Sequence, residues 1–169
     1  MLIVFGGLPG TGKTTIGRAL AGRVGGVYLR IDVIEQALRS ASVLAGDVGA
    51  AGYSVAQAIA ESNLANGRIV VADCVNPVAE SRQGWRAVAA RAGKRIIEVE
   101  LICSDLKAHR RRVEQRVSDI QGLVLPTWQD VRSREYEPWD EPHIVIDTAY
   151  TTPDEAIAEI EREMGPGTA

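Results

Sequence analysis

Residues 1–20 read MLIVFGGLPGTGKTTIGRAL, and their order decides the fold. Four apolar residues, Leu2 to Phe5, precede a glycine-rich bend. Ile16, Leu20 and Val24 then recur at helical spacing, so a buried strand runs through a tight loop into an amphipathic helix. Inside the bend, Gly7-Leu8-Pro9-Gly10-Thr11-Gly12-Lys13-Thr14 fits GxxxxGK(S/T) without a gap, in the strand-then-helix context that gives the pattern its meaning. Glycines let successive backbone N–H groups turn inward as an anion nest, and the helix beginning near Lys13 aims its positive end at the same point. Lys13 offers an ammonium to the outer phosphates, and the Thr14 hydroxyl suits Mg²⁺. A merely tight turn would not require Lys-Thr at this offset. Gly7 through Thr15 are therefore expected to bind a nucleoside triphosphate with Mg²⁺. No asparagine is followed by lysine, so the guanine-reading NKxD pattern is missing and ATP is expected rather than GTP.

Further strands are expected at Val27 to Ile31, Ile69 to Ala72, Ile96 to Ile102 and His143 to Ile146. These runs are rich in β-branched residues and lack polar alternation, which points to burial on both faces and hence to a parallel sheet. Between them lie helical stripes. Val55, Ile59 and Leu64 follow a turn at Gly52 and stop near Gly67; Trp85, Val88, Ala89 and Ala92 close at Gly93. Thr127 caps a helix carrying Trp128 and Val131 that Pro138 ends. The last helix opens with Thr152, Pro153 and Glu155 as a capping box, and turns Ile157, Ile160 and Met164 inward. Strands alternating with helices specify a doubly wound α/β architecture.

The 169 residues suit one domain, taken as 1–164, followed by 165–169 as a flexible tail. With 46% hydrophobic and 24% charged residues and a net charge of −3, the chain is globular in composition and lacks the basic excess of a protein that coats nucleic acid. Cys74 and Cys103 fit neither metal-ligand spacing nor a disulfide framework; both are expected as small core residues in a reducing, cytoplasmic setting. No apolar run is long enough for a membrane span, and no basic residue precedes the first apolar run as in a secretory signal.

In open α/β sheets ligands gather at the C-terminal ends of the strands. Asp32 follows the second strand and Asp73 the third; one carboxylate there can take a proton from an attacking hydroxyl, and one beside the loop can hold Mg²⁺. Each aspartate is equally a candidate helix cap or turn residue. Asn76 is either a hydrogen-bond partner for a substrate hydroxyl or part of an Asn-Pro turn. Arg112 and Arg116, four apart on one helical face, either close over the triphosphate or form a solvated basic face with Glu114; Arg110 and Arg111 fit the second role. Trp128, Tyr136 and Trp139 are expected in the core rather than in a pocket, and His109 and His143 receive no role.

The combination of GLPGTGKTT, an aspartate after the second strand, Asp73-Cys74-Val75-Asn76 and the Arg112 to Arg116 pair resembles the AAA-like P-loop kinases, the group that includes the phage polynucleotide kinase domain, zeta toxins and chloramphenicol phosphotransferase. The resemblance implies a five-stranded parallel sheet in order 2-3-1-4-5 with a helical lid, and transfer of the γ-phosphoryl group of ATP to a hydroxyl. It implies Asp32 as general base, Asp73 and Asn76 as substrate or metal contacts, Arg112 and Arg116 as lid arginines, and Thr148 to Thr151 near the adenine. Where polynucleotide kinases carry arginine three residues after the base, this chain has Glu35. A carboxylate there either repels phosphate and favours a neutral or cationic small-molecule acceptor, or faces solvent. A polynucleotide or nucleotide-sugar acceptor, and a slow ATP-hydrolysing switch, stand as alternatives. Nothing in the sequence reports the oligomeric state.

Overall fold

The computed structural model describes residues 1–41 and 48–165; residues 166–169, most of the expected tail, lie outside the described residues. In chain order the elements are β1 (Leu2–Gly6), α1 (Lys13–Arg23), β2 (Val27–Arg30), α2 (Ile31–Ser40), α3 (Ala51–Ala65), β3 (Val70–Asp73), α4 (Ala79–Arg91), β4 (Ile96–Ile102), α5 (Leu106–Gln115), α6 (Trp128–Ser133), β5 (Ile144–Asp147) and α7 (Pro153–Met164). The strands form one sheet in order β2-β3-β1-β4-β5, with every pairing parallel. This is the order that the resemblance implied.

Period-two alternation explains why β1 is apolar throughout. Ile3 and Phe5 pack into one core with Ile16 and Leu20 of α1 and Ile157 and Ile160 of α7. Leu2 and Val4 point the other way, into a second core with Ala56, Ala60 and Leu64 of α3 and Trp85 and Val88 of α4. All four β1 residues are fully buried, as a central parallel strand between two helical layers must be. The register then positions the chemistry: Phe5 stands opposite Asp73, and Gly6 opposite Glu100. The chain thus turns out of β1 beside the carboxylate that ends β3.

Several expectations are corrected. In α3 the buried face is Gly52, Ala56, Ala60 and Leu64, while Val55 and Ile59 are each more than a third exposed. Gly52 lies inside the helix rather than at a turn before it. Small side chains let α3 pack closely on the sheet and α4, and that contact outweighs the larger apolar residues on its flank. Strands β2, β3 and β5 are each displaced by one residue from their expected ends, with Ile31 starting α2 and Asp73 and Asp147 closing their strands. Helix α6 stops at Ser133, well before Pro138. None of Trp128, Tyr136 and Trp139 is fully buried; Trp139 lies against Gly6 and over the Arg82 guanidinium. The capping boxes at Thr127 and Thr152 are both formed, Gly67 and Gly93 take positive φ just beyond α3 and α4, and Cys74 and Cys103 are buried free thiols. Among the described residues no helix is long and apolar enough to cross a membrane.

Candidate active site

The loop between β1 and α1 takes the wrapped form its glycines allow. Gly10 and Gly12 have φ of 87° and 96°, and a Cβ on Gly10 would come within 2.6 Å of Val113. Gly12 is also the N-cap of α1, and no side chain caps that end nor does any acidic residue stand in the first turn. The first N–H groups of α1 and its positive dipole end are therefore available to an anion. Lys13 is buried, its Nζ donating to the carbonyls of Gly7 (2.6 Å) and Leu8 (2.9 Å). Burial pushes its pKa below the ordinary lysine value, an effect that Asp73 and Asp32 oppose.

Thr14 Oγ1 donates to Asp73 Oδ2 at 2.8 Å, and Tyr28 Oη donates to the same oxygen at 2.6 Å. Burial and the Asp73 charge push the Tyr28 phenol up, so it remains a donor. An alcohol and a buried carboxylate side by side are the oxygen donors a small hard cation takes when phosphates and waters complete its shell, so Thr14 and Asp73 fit Mg²⁺. Asp32 lies in the first turn of α2, partly exposed, with Arg30 Nη2 at 3.3 Å. The Arg30 side chain is only 9% exposed and also reaches Asp119 (2.7 Å) and Asp73 (3.9 Å). Arg18 of α1 meets the other oxygen of Asp119 at 2.5 Å, and the two guanidinium groups hold the Asp119 pKa down to about 2.

A cleft of about 910 Å³ joins these groups. Pro9, Gly10 and Gly12 to Thr15 of the loop line it, as do Asp32, Glu35, Asp73, Arg112 and Arg116. Glu35 thus belongs to the cleft wall rather than to open solvent, and it is ion-paired with Arg39 at 3.2 Å, so its charge is not presented alone. Arg112 donates to the hydroxyl and carbonyl of Thr148 at 2.9 and 2.8 Å, which fastens α5 to the end of β5. Arg116 follows the last turn of α5; burial lowers its pKa, and its Nε has no partner. Arg110 pairs with Glu114 on the outer face at 2.8 Å.

Gly7, Leu8 and Thr11 line a second, smaller cavity of about 210 Å³ behind the loop, shared with Trp128 and Tyr136. Asn76 is fully buried with φ of 55°, both amide atoms unpartnered, and its backbone N–H donates to Tyr53 Oη at 3.0 Å. It is not among the residues lining the cleft, whereas Asp73, Cys74 and Val75 are. Reading by sequence missed Arg18, Arg30 and Asp119, which converge from α1, β2 and the segment between α5 and α6. The one local signal is that Arg30 ends the same strand that delivers Asp32. It also missed His109, whose Nε2–H donates to Pro9 O at 2.8 Å with Trp128 edge-on to the ring.

Residues 2–138 match the family model of an AAA domain. The chain belongs to that family. Over nearly its whole length this AAA domain superposes on a kinase candidate from Chloroflexus aurantiacus, with a TM-score of 0.76, 22% identity, and coverage of 98% of this chain and 96% of that one. It also superposes on the Mycobacterium tuberculosis APS kinase CysC, solved with AMPPNP and APS, with a TM-score of 0.70, 20% identity and 96% of each chain covered. A gluconokinase from Sinorhizobium meliloti gives a TM-score of 0.64 at 22% identity, covering 95% of this AAA domain and 91% of that chain. At such identities the likeness establishes the P-loop fold and leaves the reaction to the site. None of the curated proteins compared with the chain matches it in sequence.

Proposed function

We propose that the protein is an ATP-dependent kinase that transfers the γ-phosphoryl group to a hydroxyl of a small acceptor. The observation that carries this is the shared cleft: Lys13 and Thr14 open onto the same space as Asp32, Glu35 and Tyr53, so the cleft runs on from the phosphate loop past a carboxylate into a second compartment. A nucleotide switch has no use for that compartment. The kinase descriptions of the structural neighbours agree with the reading.

In this mechanism the loop amides and Lys13 hold the β- and γ-phosphates, while Thr14 and Asp73 would hold Mg²⁺. When bound, that ion supplies positive charge that offsets the phosphate oxygens. Asp32 accepts the proton of the acceptor hydroxyl as its oxygen forms a bond to the γ-phosphorus. The bond from phosphorus to the bridging oxygen breaks, and ADP leaves with that electron pair. Arg112 and Arg116 stabilise the charge spread over the transferring group and exclude water. A small acceptor is favoured over a nucleic-acid end by the chain's net charge of −3.

The test is ADP release with pooled sugars, nucleosides, their phosphate esters, aminoglycosides and oligonucleotides. A kinase responds to one acceptor class with a rate far above its hydrolysis in buffer. An acceptor-independent rate across all pools overturns the kinase reading in favour of a switch, and a response confined to oligonucleotides moves the acceptor to nucleic acid.

A further inference from the structure

The second compartment is lined by charges that do not suit a neutral acceptor. With Lys13, Arg112 and Arg116 given to the nucleotide and Asp73 to Mg²⁺, the described residues of the cleft wall still carry Arg18, Arg30, Arg39 and Arg134 against Asp32, Glu35 and Asp119, in a chain whose net charge is −3. Glu35, the side chain that would repel an anion, is engaged by Arg39 one turn further along α2. Arg18 and Arg30, from α1 and β2, converge on a single carboxylate at 2.5 and 2.7 Å. Two guanidinium groups on different elements aimed at one pair of oxygens form an oxyanion site, and the structure shows it filled by Asp119.

Asp119 has the properties of a placeholder. It lies between α5 and α6 in a segment without helix or strand, its side chain is 47% exposed, and Val117 and Val124 on the same segment are about nine-tenths exposed. Exposed ion pairs are weak and readily exchanged. Arg30 is not exposed: its side chain is 9% accessible, and its Nε–H has no hydrogen-bond partner. When Asp119 leaves, Arg30 retains the longer ion pairs to Asp32 (3.3 Å) and Asp73 (3.9 Å), so an anion that takes the place of Asp119 restores the close charge partner of a buried guanidinium. Resting on the kinase reading, we infer that the acceptor carries an oxyanion group, phosphate, sulfate or carboxylate, which binds between Arg18 and Arg30 in place of the Asp119 carboxylate.

Inorganic sulfate titrated into the full chain, with the phosphate loop saturated by AMPPNP and Mg²⁺, tests the site without the acceptor being known. Saturable sulfate binding is expected in the wild type, tightened about fivefold by Asp119→Asn, which weakens the internal competitor, and weakened at least about fivefold by Arg18→Gln. Circular dichroism of each variant checks that the fold is kept. Equal sulfate affinity in wild type and Asp119→Asn, or indifference to Arg18→Gln, overturns the inference. So does sulfate binding that AMPPNP abolishes, since the arginines would then serve the nucleotide. Failure of AMPPNP itself to bind counts against the nucleotide reading; the sulfate comparison between Asp119→Asn and the wild type still decides the oxyanion site.

Discussion

The proposed mechanism gives Asp32 and Lys13 separable duties, and single substitutions would divide them. Asp32 lines the cleft and pairs with Arg30 at 3.3 Å. Asp32→Asn keeps shape and removes the proton acceptor, so transfer should fall at least about a hundredfold while AMPPNP affinity stays within about twofold. Single-turnover rates and calorimetry measure the two; full transfer activity in the variant would remove Asp32 as base. Lys13 is different, because its ammonium ties the Gly7 and Leu8 carbonyls and, in the proposed mechanism, also meets phosphate. Lys13→Ala should lower turnover and weaken nucleotide binding together, by at least about tenfold in Kd; unchanged affinity would mean that the loop amides alone bind the phosphates. The loop residues were legible because eight consecutive positions carry them. Arg30, Arg18 and Asp119 were not: they meet across 89 and 101 residues of chain, and no local pattern encodes such a meeting.

Helix α3 shows what periodicity reads and what it overlooks. Its apolar residues occupy more than one face, and weighting by size picks Val55 and Ile59, whereas burial picks Ala56 and Ala60, both with no exposure. Close packing of backbones needs small side chains, a demand that hydrophobicity counts do not register. The two registers make opposite forecasts. Ala60→Leu should cost about 1–3 kcal/mol through overpacking, and Ile59→Gln should stay within about 0.5 kcal/mol. Urea midpoints for both variants decide: a tolerated Ala60→Leu beside a damaging Ile59→Gln would restore the face read from sequence. Helices α1 and α7 were easier, because Ile16 and Leu20, and Ile157, Ile160 and Met164, are both the large residues and the buried ones.

Across the whole molecule, burial on both faces of the sheet was legible from the unbroken apolar runs, while the strand order came only with the family resemblance, since no single strand encodes its neighbour. What ties the layers to the loop is also not written locally. His109 of α5 donates to Pro9 O, packs on Gly10 and is 5% exposed, so the helix that carries Arg112 holds the phosphate loop in shape. Burial lowers the His109 pKa from 6.5; the bond to Pro9 works against this, and Lys13 and Arg112 add to it. In the unfolded chain the imidazole takes up a proton near pH 6.5, whereas in the fold it resists until lower pH. Below 6.5 the unfolded state therefore binds more protons, and stability falls as pH falls, down to the folded pKa. The slope from this one group is at most about 1.4 kcal/mol per pH unit. His109→Gln keeps a donor within reach of Pro9 and cannot titrate. Its urea stability between pH 5 and 8 should parallel the wild type above pH 6.5 and decline less steeply below it. Parallel curves through the whole range would show that His109 titrates alike in both states, and that burial against the loop does not hold it neutral.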